Sequence, residues 1–354
     1  MSPISPVNPG AEPSQRAPIG GFFQTHARGD RTAGRSVLDA WTERRPYAAF
    51  VNARSAFASL AAEHPSATIW LPAFLCPEMA QAVDAARTRF YPLEEGFEPD
   101  LAELEAEAEP GDLVLVCAYF GLPIGPGVRS VLERRPGLII VEDRAQALNP
   151  GPAVPGAWRL YSPRKLLGVA DGGLLVAPRA GQPVRQPSER PNAPALWGAP
   201  RLRAQDPLGR NNGVWHAANQ AKEAAMAVTR AAMTGKSRAI LGATPLAGLA
   251  AARLRNWRAL DAHLRSWSAL PLDLPAPPLG YVLRLPPDRR QSLLAGLHAE
   301  RIFAAVHWPS IAAPAREFRR EAQWARELIT LPCDHRYGAA EMARVAAAVT
   351  ALLA

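Results

Sequence analysis

Two runs in the first half of the chain, LVLVCAY (113–119) and LIIVED (138–143), are apolar without polar alternation. A strand buried on one face alternates apolar and polar residues, whereas a strand covered on both faces need not. These runs therefore predict central strands of a parallel sheet with helices on either side. Around them the pattern predicts a helix over 55–63, a strand over 67–73, a helix over 77–86, a strand over 89–93, an acidic helix over 100–107 and a helix over 128–134. Strand and helix in alternation predict an α/β domain with a doubly wound, mostly parallel sheet. Ligands of such sheets sit at the carboxyl ends of the strands. Asp143 occupies one such end, and residues 118–123 follow another.

Beyond residue 178 the rhythm changes. Residues 178–215, dense in Pro and Asn, read as loop, and 216–268 as helical with a break near 242–245. From about 270 the pattern becomes α+β, with strands over 281–285 and 303–307, helices over 289–300, 315–327 and 339–353, and a turn at 331–333. The expected organisation is an N-terminal arm (1–45), disordered over about its first twenty residues, a large domain (46–250) and a smaller α+β C-terminal domain (251–354). No internal repeat is visible.

Composition narrows the function. The chain has 354 residues, 48% of them hydrophobic, enough for a sizeable core. The first twenty residues are Pro- and Ser-rich without an apolar stretch, so no secretory signal is expected. No apolar run approaches the roughly 20 residues of a membrane span. Cys76, Cys117 and Cys333 form neither a disulfide framework nor a metal-ligand spacing, which predicts a reducing cytoplasm and no metal. The net charge of +8 would suit a nucleic-acid partner, but the arginines are scattered and no recognition motif accompanies them. Anion sites for phosphates are the simpler reading.

Only Lys165, Lys222 and Lys236 break the arginine excess. Arginine serves equally for surface charge but cannot act as a Schiff-base amine. A lysine beside the Gly-rich turn Asp171-Gly172-Gly173 is thus a candidate for covalent chemistry with a carbonyl cofactor. Singly, each feature has a plain structural reading: a solvated lysine, a capping aspartate, a turn. Order and spacing give them weight. A helix start with small and cationic residues, Arg54-Ser55-Ala56, can hold a phosphate on backbone N–H groups; then follow the strand-end Asp143 with Gln146, and then Lys165.

With these segments the chain resembles the fold-type I pyridoxal phosphate enzymes, specifically a divergent subgroup of the DegT-type sugar aminotransferase family. The resembling segments are VNARSAFASL (51–60), LPAFLCPEMAQAV (71–83), CAYFGLP (117–123), VEDRAQAL (141–148), YSPRKLLGVADGGLLV (161–176), RLRNWRALDAHL (253–264), VHWP (306–309) and ITLPCDHRYGAAEMARV (329–345). The resemblance implies that Lys165 is the Schiff-base residue and proton shuttle, and that Asp143 pairs with the pyridinium nitrogen. It also implies that Gln146 lies near the ring hydroxyl and that Arg54 and Ser55 bind the phosphate. Ser162 is a further cofactor candidate, although the family's phosphate serine falls at Leu160. Cys76, or Phe74, stands where the family has a ring-stacking aromatic. The family's partner-reaching loop has its nearest match in Arg210-Asn211-Asn212. His307-Trp308 and Asp334-His335-Arg336 read either as substrate-side groups or as packing and surface clusters, and Tyr119 as a cofactor neighbour or a core residue.

The resemblance implies a cytoplasmic homodimer that transfers an amino group from a glutamate-like donor to a keto-sugar nucleotide, in polysaccharide or natural-product biosynthesis. The retained lysine argues against the family's sugar 3-dehydratases, which carry histidine there. Two alternatives remain at this stage: a pyridoxal phosphate enzyme acting on a non-sugar substrate, and a non-catalytic binding protein that keeps the fold.

Overall fold

Alternate residues of the central strands feed two different cores. A computed structural model describes residues 16–25, 34–149, 151–271 and 273–354. Its strands are β1 (Ile19–Gly20), β2 (Tyr47–Phe50), β3 (Ile69–Pro72), β4 (Thr88–Tyr91), β5 (Leu113–Cys117), β6 (Ile139–Asp143), β7 (Trp158–Tyr161), β8 (Gly173–Val176), β9 (Tyr281–Arg284), β10 (Ile302–Phe303) and β11 (Leu328–Leu331). In β5, Leu113 and Leu115 enter one core with Phe57, Leu60 and Leu71, while Val114 and Val116 enter the opposite one with Trp70, Phe74 and Tyr119. The period-2 alternation of strand side chains thus sends both halves of an all-apolar run into packed interiors.

The main sheet has seven strands in the order β2-β8-β7-β6-β5-β3-β4. Strand β8 runs antiparallel to both β2 and β7, and the remaining pairs are parallel. This is the mostly parallel α/β sheet that the sequence pattern predicts. A separate core gathers the antiparallel pair β9 and β11 with the helices Leu246–Leu264, Pro287–Ala299 and Ala339–Leu353. No helix among the described residues is long and apolar enough to cross a membrane.

Several expectations are corrected. The stretch read as loop contains the 13-residue helix Ala193–Gln205. Pro194 at its start needs no N–H partner, the Asn192 side chain accepts from Ala195 N, and buried Leu196 and Trp197 hold the helix past the internal Pro200. The helix expected over 77–86 ends at Ala80, and a 3₁₀ turn, Ala85–Arg87, follows. Residues 1–15 of the expected disordered arm lie outside the described residues. Within its described part, Ile19 is 1% exposed and joins the C-terminal core, and β1 pairs in parallel with β10.

Candidate active site

Lys165 closes the 3₁₀ turn Pro163–Lys165 between β7 and β8. Its backbone N–H donates to the Ser162 carbonyl (3.1 Å), and the next residue's carbonyl, on Leu166, accepts from Arg253 Nη2 (3.1 Å). Leu166 and Leu167 are fully buried. The backbone that carries the lysine is therefore fixed on both sides.

Asp143 is the last residue of β6. Its Oδ1 accepts from Ala145 N (2.8 Å), and its Oδ2 has the Cys117 thiol at 3.9 Å. Burial raises its pKa above the usual carboxylate value, and the charge on Lys165 works against that rise. The same lysine charge acts on Cys76, whose thiol burial pushes up, and on His307. Burial, with Lys165 beside it, holds His307 down to about 3, so its imidazole is neutral near pH 7. His307 Nδ1 lies 3.0 Å from Thr330 Oγ1. Asp143, Cys76 and His307 are thus gathered within the electrostatic reach of Lys165, although 89 residues and more separate some of them in the chain.

Gln146 is 5% exposed; its Oε1 accepts from Phe120 N (2.7 Å), while Nε2 is buried without a hydrogen-bond partner among the described residues. A buried donor left unpaired is costly, and such a donor at the carboxyl end of a sheet points to a missing acceptor.

The helix Ala53–Glu63 begins behind β2, as the phosphate reading requires, but its first turn is already engaged. The Asn52 side chain accepts from Ser55 N (2.8 Å) and donates to the Ala227 carbonyl (3.1 Å). Ser55 Oγ accepts from Thr229 N (3.0 Å), and Arg54 Nη2 donates to the Met226 carbonyl (2.6 Å). Arg54 and Ser55 are brought together at this helix start, with the segment 226–229 laid against them. Ser162 is buried beside the lysine turn.

A cavity of about 730 Å³ opens in front of Lys165. Lys165 is the one residue of the predicted set (Lys165, Asp143, Gln146, Arg54, Ser55, Ser162, Cys76) that lines it. One wall went unrecognised in the sequence. Asn212, His216, Asn219 and Glu223 all face the cavity from the helix Asn212–Ala224. Their spacing of four, three and four is one helical face. The available signal was that polar stripe, which reads as an ordinary solvated surface when no cavity is known. Of Arg210, Asn211 and Asn212, only Asn212 lines this chain's cavity, while Arg210 N and Asn211 N donate to Asp206.

The remaining candidates divide. Tyr119 is a core residue, its hydroxyl donating to the Phe74 carbonyl (2.5 Å). Phe74 is fully buried against Trp308, Trp324 and Tyr119, so it is packing and not a free aromatic face. His307 lines the cavity, whereas Trp308 joins that aromatic cluster. Asp334 and Arg336 line the cavity as a mutual ion pair (2.8 Å).

No family model matches the chain, and no curated protein matches it. Solved structures do. A DegT DnrJ EryC1 StrS aminotransferase from Brucella abortus is 16% identical, with a TM-score of 0.63 over 89% of this chain and 87% of that one. A Streptococcus pneumoniae protein assigned as a sugar aminotransferase, in its PLP form, is 13% identical, with a TM-score of 0.64 over 94% and 93%. A 3-amino-5-hydroxybenzoic acid synthase is 16% identical, with a TM-score of 0.63 over 90% and 89%. The chain has the fold of these aminotransferases along nearly its whole length.

Proposed function

We propose that this chain is a pyridoxal phosphate-dependent aminotransferase that carries its cofactor on Lys165. The observation that supports this most is the unpaired Nε2 of Gln146, three residues past Asp143, whose carboxylate in turn feels the Lys165 charge. The donor set fits the cofactor at its ring and its aldehyde end. Asp143 would hold the ring nitrogen and Gln146 Nε2 would donate to the ring hydroxyl oxygen; Arg54 and Ser55 at the start of the helix Ala53–Glu63 would hold the phosphate only if the segment 226–229 that now engages them gave way. When bound, pyridoxal phosphate supplies an electron-accepting ring that acidifies the carbon bearing the amino group.

The chain's own residues then have defined tasks. Lys165 would hold the cofactor through its carbonyl, and its amine, when free, would move a proton. Asp143, whose pKa burial raises and the Lys165 charge lowers, would face the ring nitrogen and favour its protonated form. His307, held neutral, adds no competing positive charge beside the lysine. Arg253 fixes the carbonyl that follows Lys165 and so the reach of its amine.

We read the acceptor as a keto-sugar nucleotide and the donor as a glutamate-like amino acid. The Streptococcus pneumoniae protein and a further match, DesI with its TDP-sugar product (16% identical, TM-score 0.58), support a sugar. The match to the aminohydroxybenzoate synthase favours a second reading, a non-sugar keto acceptor on the same machinery. We also read the molecule as a cytoplasmic homodimer. The exposed Leu202, Leu208 and Val214 near the cavity wall suit a subunit interface.

The test is the visible spectrum of purified protein with added pyridoxal phosphate, beside Lys165→Ala. A yellow band that borohydride fixes in the parent, and that the variant lacks, is the expected result; glutamate then bleaches it. A colourless parent, or a variant that behaves identically, overturns the proposal. A panel of keto-sugar nucleotides and non-sugar ketones added to the bleached form separates the two acceptor readings.

A further inference from the structure

Among the described residues, four cationic side chains line the cavity: Arg164, Lys165, Arg253 and Arg336. Three are already committed. Lys165 is the proposed cofactor amine. Arg253 is fully buried, with Nη1 and Nη2 both on the carbonyls of Pro278, Leu279 and Leu166, so its Nε, also without a partner among the described residues, has no free Nη beside it to complete a fork. Arg336 holds Asp334 and the carbonyls of Gly21 and Phe22.

Arg164 differs. Its Nη1 alone takes both oxygens of Glu223, at 2.7 and 2.6 Å. Its Nε is buried with no partner among the described residues, although the side chain is 21% exposed. Covalent geometry places Nη2 on the same edge as Nε, and that edge is the fork that grips a carboxylate with two parallel bonds. Glu223 in turn has a second cation, Lys222 Nζ at 3.3 Å, so it keeps a partner if Arg164 is drawn away. The charged groups of the lining sum to a positive field, four cations against the carboxylates of Glu223 and Asp334.

We propose that Arg164 is the substrate-carboxylate site of this cavity, gripping the α-carboxylate of the amino-acid donor beside Lys165, with Glu223 as the resident carboxylate that occupies part of the guanidinium between turnovers. The assignment rests on the aminotransferase reading. It gives the SPRK sequence a physical reason: arginine next to the reactive lysine places anion recognition one residue from the chemistry.

The experiment uses glutarate, a dicarboxylate that cannot react, titrated into cofactor-loaded protein by calorimetry, with the cofactor band recorded in the same samples. Arg164→Gln is expected to weaken glutarate about tenfold or more, the range of a lost charge-assisted pair, and to leave pyridoxal phosphate affinity unchanged. Glu223→Gln, which removes the competitor and leaves the guanidinium, is expected to bind glutarate more tightly. Parent protein that takes up cofactor but binds no glutarate, or an Arg164→Gln variant with parental glutarate affinity, overturns this assignment alone. So does a Glu223→Gln variant that weakens as Arg164→Gln does, since the pair is then a strut. If Arg164→Gln instead weakens pyridoxal phosphate but not pyridoxal, Arg164 holds the cofactor's phosphate and the assignment also fails. Parent protein that takes up no cofactor overturns the aminotransferase reading itself, and this inference with it.

Discussion

His307 shows how a single side chain makes the site sensitive to acid. Its pKa falls from the ordinary 6.5 to about 3, through burial first and the Lys165 charge second. The unfolded chain therefore binds a proton below about pH 6.5 that the folded chain refuses until far lower. The neutral form's contribution to stability is whole above pH 6.5 and declines as pH falls, by at most about 1.4 kcal/mol per pH unit from this one group. His307→Gln keeps a polar neighbour for Thr330 and removes the titration. Urea midpoints measured between pH 7 and 4 are expected to fall less steeply in the variant than in the parent; parallel curves would show that His307 does not titrate this way. At this scale the sequence was informative where chemistry demands a residue type. Lys165 and Asp143 stood out because arginine cannot replace the one and a strand end positions the other. It was silent where a role depends on distant chain. Nothing near Arg54 and Ser55 announces that residues 226–229 lie against them, and nothing near His216 or Asn219 announces a cavity.

Among the elements, the turn Asp171-Gly172-Gly173 joins the lysine loop to two others. Asp171 is fully buried and accepts from Thr234 N (2.6 Å), Thr234 Oγ1 (2.7 Å) and Ser237 Oγ, which ties the start of the helix Gly235–Ala243 to the lysine loop. Gly172 adopts φ +137°, and Gly173 packs directly on the backbone of Asn52, the cap of the helix Ala53–Glu63. A Cβ on Gly173 would lie 2.1 Å from the Asn52 carbonyl carbon. Backbone cannot rotate aside, so Gly173→Ala is expected to cost about 1–3 kcal/mol, lower the melting temperature by roughly 1–4 °C and weaken cofactor binding through the shifted cap. Gly248→Ala is the control: it is helical, nothing lies within 4 Å of its Cβ, and about 0.5–1 kcal/mol of added stability is expected. Calorimetric melting of both variants checks the pair, and equal melting points would refute the close-approach argument. The motif was visible in the sequence as a turn; its partner at Asn52 was not, because the contact spans more than a hundred residues. The helix Ala193–Gln205 was missed for a local reason, since two prolines and a nearly featureless apolar pattern hide a helix that buried Trp197 and the Asn192 cap maintain.

At the scale of the whole molecule, residues 19–23 form a strap along one side of the cavity. Gly20, Gly21, Phe22 and Phe23 line the cavity, and Ile19 is buried in the C-terminal core. Two arginines on different parts of the molecule hold the strap. Arg203, from the helix Ala193–Gln205, donates to the carbonyls of Gly20 (2.7 Å) and Phe22 and lies against the rings of both Phe22 and Trp215, which touch each other edge-on. Arg336 donates to Gly21 (3.1 Å) and Phe22 (3.2 Å) and covers Phe23 at 4.0 Å. Tyr337 Oη accepts from Gly20 N (2.7 Å). Burial and the nearby charge of Arg336 hold Arg203 down to about 10, so it stays a cation at neutral pH. Replacing it by methionine keeps much of the apolar stem and removes both charge-assisted bonds, a loss of about 3 kcal/mol and roughly 4 °C in melting temperature for a chain of this size. The strap should then open locally before the core does. Arg203→Met is expected to be cut by trypsin or chymotrypsin within residues 16–25 under conditions that leave the parent intact, and to bind cavity ligands more weakly because Phe22 and Phe23 leave the wall. Because Arg203 and Arg336 share the Phe22 carbonyl, Arg203→Met and Arg336→Met should combine to less than the sum of their separate losses. Strictly additive losses would mean that the two arginines act independently, and a variant with parental protease resistance would mean that β1 pairing with β10 holds the strap unaided.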